Sequence, residues 1–94
     1  MTDFRIEKDT MGEVEVPAWA YWGAQTERAV DNFAVSGLRM PPSMIAALGR
    51  IKKCAAEANR DLDFLDPQLA QAIARAAAEV ADGKWNDHFP VDVF

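Results

Sequence analysis

Three sets of side chains in this chain have types and spacings that could do chemistry. Asp61, Asp63 and Asp66 fall within six positions, a density of carboxylates suggestive of a calcium loop. Such a loop needs glycine at its sixth position and a bidentate glutamate at its twelfth. Counted from Asp61, those positions hold Asp66 and Ala72, so helix capping is the expected role of these acids. Cys54 and His88 are the chain's two soft ligands, too few for a closed zinc site or an iron–sulfur cluster. They could also pair as nucleophile and base. Cys54, however, lies on an apolar helical stripe, where a free thiol behaves as a small hydrophobe, and a reactive one wants an electropositive, partly exposed setting. Core packing is therefore expected for Cys54. His88 follows Asp87 in a loop and reads as a solvated or loop-tethering histidine rather than a general base. Arg28, beside Thr26 at a helix start, is the one cation that stands out, and it is expected to tie that helix to the hairpin or to a larger body rather than to contact a substrate. Neither a Walker-type run nor a dinucleotide fingerprint occurs. Lys52-Lys53 reads as a solvated helix face, and Trp85 as an aromatic plug beyond a helix end. No catalytic, cofactor-binding or metal-ligating residue is assigned anywhere in the chain.

The elements that carry these side chains are readable from periodicity. Residues 4–16 hold Phe4-Arg5-Ile6-Glu7-Lys8 and Glu13-Val14-Glu15-Val16, alternating apolar with charged positions around Asp9-Thr10-Met11-Gly12. This period of two predicts a hairpin of half-buried strands, closed by Pro17, which has no N–H for a ladder. An isolated hairpin is marginal in water, so it must lie on another element. Trp19, Tyr21 and Trp22 then precede Gly23 and are expected to fill the joint between hairpin and helices. A helix is predicted over 23–34, with Ala29, Val30 and Phe33 on one face and Ser36-Gly37 as its stop.

A second helix is predicted over 42–61, opened by Pro41-Pro42 and carrying Met44, Ala47, Leu48, Ile51, Cys54, Ala55, Ala58 and Leu62 as one apolar stripe. A third is predicted over 67–82, with Asp66 as N-cap and Pro67 in the first turn. Its stripe is Leu69, Ile73, Ala76 and Val80, and Gly83 ends it. The short link between the last two helices forces an antiparallel pair. Alanine-rich faces let helix axes approach closely and suit a large multi-helix body.

Composition narrows the classes. Ten Lys and Arg against fifteen Asp and Glu leave a net charge of −5, which argues against nucleic acid as a partner. Apolar runs of a few residues fall far short of the roughly 20 that span a bilayer. The single cysteine cannot close an internal disulfide and fits a reducing, cytoplasmic setting. Half of the 94 residues are hydrophobic, so the chain is globular in character. A chain this short buries only about 60% of its unfolded surface. The closing Phe89-Pro90-Val91-Asp92-Val93-Phe94 is apolar and strand-like with nothing evident to pair it, as expected for a chain interrupted within an element.

Two segments are more specific than these patterns. The run from Arg5 through Thr10-Met11-Gly12 to Pro17, continued by Trp22-Gly23-Ala24-Gln25-Thr26-Glu27-Arg28-Ala29-Val30-Asp31-Asn32-Phe33, closely resembles the amino-terminal stretch of class II fumarate hydratases. These belong to the fumarase/aspartase superfamily, and the ending Phe89-Pro90-Val91-Asp92-Val93-Phe94 is similar to that family too. Aspartases share the start and the ending, whereas Gly23-Ala24-Gln25-Thr26 and Thr10-Met11-Gly12 look more like fumarase.

The resemblance implies a mainly α fold with a short amino-terminal β-hairpin, residues 1–94 being an incomplete amino-terminal segment of the lyase domain. It implies a hydro-lyase of the tricarboxylic acid cycle that reversibly hydrates fumarate to L-malate, through proton removal next to a carboxylate and a carbanion-like intermediate. It further implies a metal-free, cofactor-free homotetramer around a long helical bundle, while charge and apolar run length speak against a nucleic-acid or membrane partner. The family's base serine, active-site histidine and carboxylate-binding residues belong to motifs that match no position here, so the isolated chain is expected to be inactive. Two alternatives stand beside this reading: a segment of an aspartate ammonia-lyase, and a stand-alone helical interaction module.

Overall fold

The computed structural model describes residues 3–94. Strand β1 (Phe4–Asp9) pairs antiparallel with β2 (Gly12–Pro17), and helices α1 (Ala24–Asn32), α2 (Pro42–Asp61) and α3 (Pro67–Ala81) follow, with a 3-10 turn at Asn86–His88. The expected hairpin and three helices are thus present. Two compact units result: the first takes the chain up to Met40 together with Asp87–Phe94, the second Pro41–Asn86.

In the first unit the hairpin register pairs Arg5 with Val16, Glu7 with Val14 and Asp9 with Gly12. Gly12 adopts φ +112°, and the Asp9 carboxylate accepts the Met11 N–H at 2.9 Å, which closes the turn. Helix α1 lies against both strands. The phase of β1 is unexpected. Arg5, Glu7 and Asp9 are half-buried on the same face as Val14 and the fully buried Val16, while Phe4 and Ile6 are 54% and 57% exposed. Charged side chains occupy the inner face because each finds a partner there, and a paired charge is tolerated where an orphan is not. Trp19 and Tyr21 are exposed as well, so the expected aromatic filling falls to half-buried Trp22 and to buried Ala20 and Ala24.

The closing segment has a partner after all, contrary to the sequence expectation. Asp92 bridges Arg39, and the Val93 N–H donates to the Leu38 carbonyl at 2.8 Å. The Asp92 carboxylate accepts from the Ser36 and Gly37 amides at 2.7 and 2.9 Å, from the Ser36 hydroxyl at 2.8 Å and from the Phe94 amide at 2.9 Å. The amides of Phe94 and Ser36 hold this carboxyl well below the usual carboxylate range, at about 2.

In the second unit α2 and α3 form the antiparallel hairpin, and apart from Ile45 the buried positions of the pair are glycine and alanine. Ile45, Gly49 and Ala56 are the buried positions of α2, Ala70 and Ala77 those of α3. A methyl group placed on Gly49 would come within 2.8 Å of the Ala81 nitrogen and 2.9 Å of the Ala77 carbonyl oxygen. The helices therefore touch backbone to backbone at this point. Leaving out bulk is what permits so close an approach, so the long side chains turn away. Met44, Leu48 and Ile51 on α2 and Leu62 just after it are exposed, as are Leu69 and Ile73 on α3. Cys54 shares that outward stripe and is exposed, which overturns its expected place in the core. The apolar stripes are real, but the α2–α3 contact uses the alanine and glycine rows beside them.

Both helices of this pair are terminated in the same way. After α3 the Lys84 N–H donates to Glu79 and the Gly83 N–H to Val80, with Gly83 at φ +85°. After α2 the Phe64 N–H donates to Asn59 and the Asp63 N–H to Arg60, but the left-handed position is an aspartate at φ +63°. Glycine has no Cβ penalty there. Asp63→Gly is expected to stabilise the chain by about 0.5–1 kcal/mol, measured as a raised urea midpoint with an unchanged slope.

Candidate functional site

The polar groups of the described residues converge on the inner face of the hairpin, where β1 supplies Arg5, Glu7 and Asp9 and α1 supplies Glu27 and Arg28. The Arg5 guanidinium donates to the carbonyls of Ala20 and Trp22 at 2.6 Å each, to that of Pro17 at 3.1 Å and, more distantly, to Ala18. Its Nε reaches the Glu7 carboxylate at 2.6 Å. One planar fork thereby gathers the chain from the end of β2 to Trp22, serving the Ala20 and Trp22 carbonyls that lie outside helix and sheet.

Arg28 does the same for the turn at the other end of the strand. Its Nε and Nη2 donate to the two Asp9 carboxylate oxygens at 2.9 and 3.0 Å, and Nη2 also reaches the Gly12 carbonyl at 3.1 Å. The Arg28 hydrogen bond holds the Asp9 carboxyl below its ordinary value, and Asp9 in turn raises that of Arg28. The expected tie between helix and hairpin is what this arginine makes. An open cleft of about 310 Å³ lies alongside, lined by Thr10, Met11, Gln25, Asn32 and Phe33 as well as the ion pair. Its cation is already committed to Asp9, which leaves it a weak grip for a dicarboxylate.

Glu27 is 8% exposed and accepts the Trp22 indole N–H at 2.9 Å. Burial raises its carboxyl above the usual range, and neighbouring Asp31 adds to the rise against the lowering effect of the indole bond. A carboxyl whose folded-state value is raised contributes stability at low pH that is lost as pH rises from the ordinary value through the raised one. Glu27→Gln keeps an acceptor for Trp22 and removes the titration. It is expected to be more stable than the parent at pH 7, an advantage that shrinks and vanishes as pH falls below about 4 in paired thermal melts.

His88 meets the same loop from the closing segment. The Tyr21 amide donates to His88 Nδ1 at 3.0 Å, and the imidazole stacks on the Tyr21 ring at 4.8 Å and 24°. It also sits edge-on to Trp19 at 5.4 Å and to Trp22 at 6.3 Å. The loop-tethering role expected for His88 is the one it fills. The other sequence candidates belong to the second unit. Cys54 lies on α2, and Asp66 caps α3 by accepting from the Gln68 and Leu69 amides at 3.0 and 3.1 Å. Asp61 pairs with Arg60 at 3.1 Å. Trp85 donates its indole N–H to Glu79 at 2.9 Å, closing off the end of α3 as an aromatic plug. Among the described residues no His, Cys, Asp or Glu cluster is placed to hold a metal ion. The arrangement holds a loop, a turn and a helix in register. It brings no nucleophile and base together.

Sequence reasoning missed Arg5, Glu27 and Asp92. The available signals were faint: acids and bases at positions 5, 7 and 9 share one strand face, and Glu27 and Arg28 stand one helical turn into α1.

Comparison with known proteins gives this scaffold a context. A family profile described as lyase matches residues 12–94. The class II fumarate hydratase of Halobacterium salinarum is 54% identical over 92 residues, and an aspartate ammonia-lyase of a Bacillus species is 53% identical over 91. Those alignments cover 98% and 97% of this chain but 20% and 19% of those proteins. Among solved structures, the class II fumarase from Schistosoma mansoni superposes with a TM-score of 0.89 at 34% identity, over 98% of this chain and 20% of that one. The chain spans about a fifth of the length of the curated relatives it matches.

Proposed function

Because this chain belongs to the lyase family whose profile matches residues 12–94, we propose that it is the amino-terminal segment of a class II fumarate hydratase. The complete enzyme would add water reversibly across the double bond of fumarate to give L-malate. The observation that carries this reading is 54–55% identity to proteins of that name over 98% of the chain. Ammonia-lyase chemistry is the second reading, kept because one such relative stands at 53% identity.

Within the enzyme this segment would act as scaffold. The Arg5 and Arg28 anchors fix the hairpin on α1, and Asp92 and His88 fix the closing segment on the same unit. Together they would set the direction in which the chain leaves Phe94. The outward apolar rows of α2 and α3 support packing against a larger helical body, such as the bundle of a homotetramer. Fumarate and L-malate would be held by residues outside these 94, without metal or cofactor. Residues 1–94 are an incomplete part of the lyase domain in this reading. The net charge of −5 speaks against nucleic acid, no described helix is long and apolar enough to cross a membrane, and the lone cysteine fits a cytoplasmic setting.

The polypeptide encoded by the complete gene is expected to dehydrate L-malate and to release no ammonia from L-aspartate. Ammonia release without malate dehydration would replace the hydratase with an ammonia-lyase. The 94 residues alone, purified away from any host enzyme, are expected to leave fumarate unconsumed in a spectrophotometric assay.

A further inference from the structure

The contact between His88 and the 18–22 loop has a consequence that reaches beyond the proposed function and does not depend on it. A backbone N–H can only donate, so the Tyr21 amide at 3.0 Å requires a lone pair on His88 Nδ1. The neutral ring must then carry its proton on Nε2. A second proton can enter only at Nδ1, which sets two donors against each other and breaks the Tyr21 hydrogen bond. Imidazole is the side chain that ordinarily changes charge between about pH 5 and 8, and His88 is the only histidine in the chain.

The other end of the segment behaves differently. Asp92 takes amide hydrogen bonds from Ser36 and Gly37, and its carboxyl, at about 2, stays ionised throughout that range. We infer that the Tyr21–His88 contact is a pH-sensitive latch, whose protonation frees the Tyr21 amide and loosens residues 87–91 while the Asp92 end stays fastened.

Among the described residues, the titratable and charged groups on the segments that meet the imidazole include the Tyr21 phenol, Asp87 next to it in the chain, Arg5 on the Ala20 and Trp22 carbonyls, and Glu27 on the Trp22 indole. Glu27 titrates above its usual range, and its bond is to the Trp22 indole rather than to the latch. Attraction between the imidazolium and the Tyr21 ring can keep the two rings near each other, but it cannot restore a bond between two donors.

The test is a nuclear magnetic resonance titration of the 94-residue chain. At about pH 8 the ring nitrogens of His88 should report the Nε2–H tautomer. Between about pH 8 and 5, protection of the Tyr21 amide, corrected for intrinsic exchange, should fall about fivefold to tenfold in step with the imidazole carbon-bound protons. The Ser36 and Gly37 amides should keep their protection. His88→Asn supplies an acceptor that does not titrate, so Tyr21 protection should become independent of pH. His88→Phe keeps the stacking without an acceptor and should show the low-protection state at both ends. Constant Tyr21 protection while the ring titrates would overturn the latch, and so would an unchanged pH response in His88→Asn.

Discussion

Gly49→Leu is expected to prise α2 from α3 and to destabilise the chain by about 3 kcal/mol or more, at the upper end for overpacked sites. The first added carbon already meets the Ala81 nitrogen at 2.8 Å and the Ala77 carbonyl oxygen at 2.9 Å, with the Ala81 Cα at 3.2 Å behind them. These are backbone atoms of a helix, so no side chain can rotate out of the way. The helices must separate, and buried Ala77 then loses close packing along with the contact. Gly49→Ala gives the sharper comparison. Helix propensity favours alanine over glycine by about 1 kcal/mol, yet the same 2.8 Å approach applies. A net loss of about 1–2 kcal/mol is expected from the overpacking that outweighs it. Denaturation of both variants by urea, followed through helical circular dichroism, measures the effect. A Gly49→Ala variant more stable than the parent would show that the helices do not touch there.

Arg5→Met is expected to be the most damaging single change in the first unit, with a loss of about 2–4 kcal/mol. It strands the Ala20 and Trp22 carbonyls, each now bonded at 2.6 Å, whereas the Pro17 carbonyl keeps the Ala20 N–H at 3.0 Å. The Glu7 pair contributes the smaller share, because both side chains are about one-third exposed and such pairs are screened by water. Arg5→Lys should recover only part of the loss, since an ammonium on a flexible stem cannot serve carbonyls spread over residues 17–22 as a planar fork does. Hydrogen exchange at residues 18–22 should speed up in Arg5→Met far more than exchange in α3. Equal effects on both would mean that Arg5 acts on the whole chain rather than on its loop.

Much of the architecture was legible because the punctuation is local. Asp66-Pro67 opens α3 and Gly83 closes it, as capping chemistry requires. The hairpin and α2 likewise announce themselves by period and by proline. Orientation was harder to read, since a period names two faces without saying which is inward. In β1 the choice is made by the loop carbonyls and by Arg28, partners 12 to 19 residues away, and it buries the charges rather than Phe4 and Ile6. In α2 and α3 the larger apolar residues dominate any hydrophobic reading. The contact is settled instead by how near two backbones can come, which favours Gly49, Ala70 and Ala77 and leaves Cys54 outside. Among the site residues, Arg28 and His88 were legible as ties, whereas Arg5 was hidden as one more charge in an alternating strand.

The inverted phase of β1 changes what mutational scanning of the 94-residue chain should tolerate. Greasy positions 4 and 6 stand open to substitution, whereas the hydrophilic positions 5 and 9 carry the architecture. Ranking this strand's substitutions by hydrophobicity would therefore put the permissive and the intolerant sites in reverse order.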